Sequence, residues 1–200
     1  MTALRVISRR ELPVHTVAMA RFLVGALLVR DLPEGRIVGR IVETEAYPPG
    51  DASGHAFRGE TAANRPMFLE PGRAYVYFIY GVHFMLNVSS EPEGIGGGVL
   101  LRALEPVSGI DLMRERRGPV RDRDLARGPG RLAGALAVGP DLNAVDMCRE
   151  GPIWLAHPPS RRGELGASVR IGISKETHHL RRYFERGNQC VSGGKALNGR

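Results

Sequence analysis

"RAYVYFIYGVHFMLNVSS", residues 73–90, is the most strand-like stretch of the chain. It is rich in aromatic and β-branched residues, and Gly81 divides it into two runs. Glycine reaches the positive φ of a tight turn at no steric cost, so the stretch predicts a β-hairpin with Tyr80-Gly81 near its tip. Hairpin tips are usually polar. A bulky aromatic there is therefore a candidate for a role beyond folding, whereas Tyr75 reads as ordinary β-propensity. In a regular strand Tyr77 lies on the face opposite Tyr80.

Working outward, "RIVGRIVETEAY" (36–47) and "GVLLRALEP" (98–106) read as further strands, the second ended by Pro106. "HTVAMARFLVGALLVRDL" (15–32) reads as a helix capped near Thr16 that runs into a short strand at Leu27–Arg30, with a turn at "LPEG". Residues 48–73 look like a long ordered loop. "SGIDLMRERRG" predicts a short helix capped by Ser108, and "GPGRLAGALAV" (128–138) a glycine-opened helix. "PIWLA" (152–156) and "ASVRIGIS" (167–174) read as strands. The first dozen residues and the tail from residue 193 are expected to be mobile. Strands and helices mix without βαβ regularity, which favours an α+β domain spanning residues 1–200.

The 200 residues are 42% hydrophobic and 24% charged, enough for one domain with a real core. The formal net charge is +7, and all but Lys175 and Lys195 of the basic residues are arginine. An excess of that size points to an anionic partner, with nucleic acid the leading reading. No apolar run approaches the roughly 18 residues that span a bilayer, and the first residues lack a signal-peptide core, so cytoplasmic residence is expected. Cys148 and Cys190 form no CxxC pair, there is no HExxH, and the adjacent His178 and His179 have poor ligand spacing. The sequence therefore predicts no metal and no cofactor.

The period of a strand puts Glu43, Glu45 and Tyr47 on one face. Flanked by Ile41, Val42 and Ala46, the carboxylates read either as a solvated face or as partly buried acids. A desolvated glutamate beside another acid has a raised pKa, suited to proton transfer near neutral pH. Arg102, with apolar neighbours on both sides, would need a carboxylate or water, and either glutamate would serve. The "GPGRL" helix start could offer N–H groups to a phosphate, a weak signal alone.

Taken together and in order, these stretches resemble the alkyladenine (3-methyladenine) DNA glycosylase family. The match runs from "LPVHTVAMARFLVGALLVR" to "YFERGNQCVS", carried by "RIVETEAY", "ANRPMF", "PGRAYVYFIYGVHFMLNVSS", "VLLRALEP" and "GPGRLAGALAV". The resemblance implies one compact domain: a mixed, largely antiparallel curved sheet with flanking helices and a protruding DNA-inserting β-hairpin. It implies a monomeric base-excision repair enzyme whose partner is double-stranded DNA containing damaged purines. Such an enzyme flips an alkylated or deaminated purine out of the duplex, hydrolyses its N-glycosidic bond and leaves an abasic site, without metal or cofactor.

By resemblance, Glu45 is the water-activating base, helped by Arg102 and the main-chain carbonyl of Ile171. Tyr47 and Tyr77 sandwich the flipped base, His55 forms a pocket wall and hydrogen-bonds it, and Asn87 obstructs guanine's 2-amino group. Tyr80 fills the gap left in the stack with Met67 beside it. Thr61, Arg65, Gly130 and Arg131 meet the DNA backbone, and Glu43 is structural, paired with an arginine. The chain departs from the family at "TAAN" (61–64), where "TPRN" is common, and at "YPPGDASGH", where "YLGP" is usual. Two other classes stay open: a basic protein that only binds kinked DNA or structured RNA, and a hydrolase of free nucleosides. A pure binder has no use for the set Glu45, Arg102, Tyr77 and Asn87. A small neutral substrate has none for the charge or for Tyr80.

Overall fold

The computed structural model describes residues 4–79, 81–158 and 163–199. Eight strands form one sheet: β1 (Leu27–Leu32), β2 (Gly35–Tyr47), β3 (Ala74–Ile79), β4 (His83–Ser89), β5 (Gly98–Ser108), β6 (Ile153–Ala156), β7 (Leu165–Ser168) and β8 (Arg182–Glu185). The order is β3-β4-β5-β2-β1-β6, with β8 joined to β2 and β7 to β8. Three helices, α1 (Thr16–Leu23), α2 (Ile110–Arg117) and α3 (Pro129–Ala135), flank it in a single compact α+β domain. A mixed, largely antiparallel sheet was expected, and every strand pairing among the described residues is antiparallel.

The long strand β2 organises the site. One edge pairs with β5. The other edge is shared, with β1 against residues 35–40 and β8 against Glu43, Thr44 and Glu45. The β2–β5 register slips on both sides of Glu43. A bulge of this kind bends the strand and re-aims its side chains. Here it falls where the edge changes partner. Below the sheet, Met19, Ala20 and Leu23 of α1 join Ile41, Leu101, Leu104 and Leu132 in the main core. Full burial of a methionine, leucine or isoleucine side chain contributes roughly 1.5–3 kcal/mol. A smaller apolar cluster of Val42, Ala103, Phe184, Cys190 and Val191 covers the opposite face under β8.

Several local expectations are corrected by tertiary context. Pro106 does not end β5, which continues to Ser108. β4 pairs with β5 only at Gly98–Leu100, so no neighbour on that side asks Pro106 for an N–H. Thr16 is the first residue of α1, and its N–H and hydroxyl both donate to Glu91 Oε1, at 2.8 and 2.6 Å. A remote carboxylate thus caps the helix and complements its dipole. α2 starts from Gly109 rather than Ser108; at φ 69° a Cβ there would lie 2.4 Å from the Arg36 carbonyl. The strand predicted at 167–174 is the shorter β7, and 169–174 is loop. β8 was not anticipated. The ends are packed: Ile7 is buried, Val6 bridges to Ala156, and Asn198 is buried beside Arg182.

β3 and β4 pair antiparallel from Ala74↔Val88 to Ile79↔His83. Near the end of that pairing Phe78 and Phe84 pack at 4.9 Å between centroids, while Phe78 is 55% and Val82 66% exposed. Tyr80, expected to be the inserting residue, lies outside the described residues.

Candidate active site

The two glutamates of β2 are both fully buried, and Arg102 of β5 reaches both, with Nε 2.8 Å from Glu43 Oε1 and Nη1 3.1 Å from Glu45 Oε2. The strand period thus brings Glu43 and Glu45 to one arginine, as the sequence suggested. Their environments differ. Glu43 accepts from Arg102 Nε (2.8 Å), Arg182 Nε (2.7 Å), the Ser192 hydroxyl (2.8 Å) and the Ser192 N–H (2.6 Å). Three of these donors fall on Oε1 and one, the Ser192 N–H, on Oε2. Burial opposes the charge of Glu43, but the Arg102 and Arg182 guanidiniums hold its carboxyl below the usual carboxylate range. For Glu43, the mutual elevation expected of neighbouring acids is overturned, because two guanidiniums neutralise the pair.

Glu45 has fewer partners. The Ile171 N–H donates to Oε1 at 2.8 Å, and the Tyr47 hydroxyl donates to Oε2 at 2.9 Å beside Arg102. Among the described residues, Oε1 thus keeps one unfilled acceptor site. All three partners line a cavity of about 280 Å³. That is near the lower end of small-ligand cavities. Burial and the Glu45 charge push the Tyr47 hydroxyl up in pKa, so it stays a donor.

Tyr47, His55, Tyr77, Asn87, Met67, Arg102 and Ile171, which were singled out in the sequence, all line this cavity. Tyr75, which read as ordinary β-propensity, lines it too. Its hydroxyl lies 2.8 Å from His55 Nδ1, and the His55 ring is 4.4 Å from that of Tyr77. Burial raises the Tyr75 pKa to about 12 and lowers that of His55. The pair is therefore neutral at physiological pH. Asn87 is held by its own amide, which donates to the Tyr75 carbonyl at 3.2 Å. Met67 was expected beside the inserting tyrosine; it is 3% exposed and belongs to the cavity wall.

The remaining candidates lie outside the cavity lining. Thr61 and Arg65 are exposed, and Asn64 ties this turn by accepting from the Thr61 N–H at 2.6 Å. Gly130 opens α3 where a Cβ would lie 2.8 Å from the His83 ring, Arg131 beside it is exposed, and Pro129 reaches the cavity.

Several contributors were missed. Arg182 is fully buried and also donates to the Ser192 carbonyl (2.8 Å) and Asn198 Oδ1 (2.7 Å). Arg170 pairs with Asp51, donates to the Ala46 carbonyl at 2.9 Å and lies 4.6 Å from the Tyr47 ring centroid, backing that ring. Only the unplaced charge of these arginines in "SVRIGIS" and "LRRYFE" could have flagged them.

A buried carboxylate whose partners line an aromatic-walled cavity, on a chain of net charge +7, fits an enzyme that works on the bases of a nucleic acid. The sequence model of the family described as "Methylpurine-DNA glycosylase (MPG)" matches residues 10–189, and the chain belongs to that family of DNA-repair hydrolases, which cleave the N-glycosidic bond. A relative from Mesorhizobium japonicum is 60% identical over 191 residues, covering 96% of this chain and 92% of its own. One from Paraburkholderia phytofirmans is 51% identical, covering 94% and 89%, and one from Rubrobacter xylanophilus is 44% identical, covering 89% and 93%. All three bear the name "Putative 3-methyladenine DNA glycosylase". DNA is the substrate of the family, and among the described residues no helix is long and apolar enough to cross a membrane.

Proposed function

We propose that this protein excises alkylated or deaminated purines, 3-methyladenine among them, by flipping the damaged nucleotide into the cavity and activating a water with Glu45. The observation that carries the reading is the unfilled acceptor site on Glu45, behind a base-sized aromatic slot and beside Arg102. A water there donates one proton to Oε1. As its oxygen attacks C1′, the C1′–N bond breaks, the bonding electrons leave with the purine, and the water proton passes to Glu45. The transition state resembles a sugar cation, so the buried carboxylate also stabilises it electrostatically. The Ile171 N–H fixes the orientation of Glu45, and its carbonyl is assigned to the water.

Tyr47 and Tyr77 would hold the base between them, and a neutral His55 would hydrogen-bond it. When the Tyr75 hydroxyl donates to His55 Nδ1, the proton sits on Nε2 and the ring offers a donor. Asn87 would crowd a 2-amino group. On the DNA side, Tyr80 would fill the vacated stack, with the exposed Phe78 and Val82 next to it. Thr61, Arg65, Gly130 and Arg131 would meet phosphates. The protein would act as a monomer.

Duplexes each carrying one lesion, incubated with the protein and then cleaved at abasic sites by alkali, test the reading directly. Strand breaks at methylated or deaminated purines and none at undamaged ones are expected; tight lesion binding without breaks would make it a binding protein.

A further inference from the structure

The loop that brings Ile171 to Glu45 returns to β8 through Lys175-Glu176-Thr177-His178-His179. Adjacent histidines point apart on a regular strand or helix, which is why the sequence gives them no value as ligands. The turn alters that. Glu176 has φ 52°, and the His179 N–H donates to the Glu176 carbonyl at 3.4 Å, closing a single tight turn. The two imidazoles then lie 4.0 Å apart between centroids, tilted by 40°, and His179 Nε2 lies 2.9 Å from Glu176 Oε2. One donor atom from each of Glu176, His178 and His179 lies within 4.8 Å of the others.

Two features argue for a ligand here. A non-glycine residue at positive φ is strained and persists where its surroundings over-determine it, often at functional sites. The cluster, moreover, is not core: His178 is exposed and Glu176 and His179 are half-buried, so burial does not account for it. Two imidazoles and a carboxylate form a donor set of zinc, at about 2.0–2.2 Å from the ion with a fourth position for water. Imidazole also suits copper and nickel. Bonds of that length need donors about 3.4 Å apart, which rotation of side chains at an open turn supplies. Arg181 shares Asp51 with Arg170, at 2.8 Å, so one positive charge of that group and Lys175 are the neighbouring charges that oppose an ion.

We propose that Glu176, His178 and His179 bind one divalent transition-metal ion, zinc fitting best, and that the ion clamps the rim of the cavity. It would take the place of any proton shared by His179 Nε2 and Glu176 Oε2 and release it to solvent. The clamp would reach the site through the chain. Ser53, a cavity-lining residue, donates from its hydroxyl to the Lys175 carbonyl at 2.5 Å, and Ile171, Gly172 and Ile173 line the same cavity. The proposal does not depend on the glycosylase chemistry.

Calorimetric titration of the chelator-treated full chain with zinc chloride tests it, alongside thermal unfolding with and without zinc. One ion per chain is expected, with a rise in Tm. His178→Ala and His179→Ala should each weaken binding at least as much as the roughly 10–100-fold that outer-shell changes cost metal sites. The double variant should lose both the heat and the Tm shift while keeping its zinc-free Tm. Zinc binding that survives in the double variant places the ion elsewhere and overturns the proposal, as does the absence of any binding to the wild-type chain.

Discussion

Glu43 and Glu45 stand two residues apart on one strand, are equally buried, and share one arginine. They differ in what completes their shells. Glu43 is held by four donors from β5, β8 and the chain after β8, of which only Arg102 lines the cavity. Glu45 has three donors, each of them part of the cavity wall, and a place for a fourth. Burial alone therefore does not distinguish a structural acid from a working one. What separates the two is where their donors lie: all three of Glu45's line the cavity, and of Glu43's only Arg102 does. The first region should govern stability, the second chemistry.

The largest expected effect on stability lies in the Glu43 shell. Arg182→Met removes one of its two cations, and breaking a buried ion pair typically costs about 3–5 kcal/mol. Denaturant unfolding should show a loss of that order, and a loss below about 1 kcal/mol would break the contrast. A second effect concerns the hairpin. Tyr80→Ala should slow excision from a well-paired duplex about tenfold, since stacking is worth on the order of 1–3 kcal/mol per base and ~1.4 kcal/mol is one decade. Lesions in mismatches, where unpairing is already cheap, should be affected far less. Equal loss on both substrates would mean that Tyr80 holds the hairpin together instead.

Smaller effects should follow pH and salt. The folded pKa of Glu43 lies below its usual 4.5, so the stability it contributes is fully present above that value and is lost as pH falls through the folded value. Glu43→Gln should therefore flatten the acid limb of the Tm profile below about pH 5. An unchanged slope would contradict the four-donor description. Arg131→Ala should make the salt dependence of duplex binding shallower by about 0.9 in log–log slope, the loss of one phosphate contact. A slope like that of the wild type would remove Arg131 from the footprint.

Strand period put Glu43, Glu45 and Tyr47 on one face, and the apolar flanks of Arg102 asked for a carboxylate, all local information within β2 and β5. The places of Tyr77, Asn87, His55 and Ile171 in the pocket came from the resemblance to the family and not from alternation. Tyr75 was misread because β-propensity explains a strand tyrosine equally well; only its meeting with His55, twenty residues away, gives it a task. Arg182 and Ser192 were invisible for a related reason. They reach Glu43 across 139 and 149 residues, through a four-residue strand too short to leave a pattern. The capping of α1 by Glu91 and the turn that gathers His178 and His179 are likewise products of packing.

The most direct measurement is single-turnover excision of one methylated or deaminated purine from a duplex by Glu45→Gln and Glu43→Gln side by side, each with its lesion affinity and Tm. Glu45→Gln should lower the rate by roughly 10²–10⁴, the span for removal of a general base, with binding and Tm near wild type. Glu43→Gln should lower Tm and leave most of the rate to whatever fraction is folded. Near-normal excision by Glu45→Gln, or a loss of rate confined to a fully folded Glu43→Gln, would contradict the assignment of Glu45 as the base.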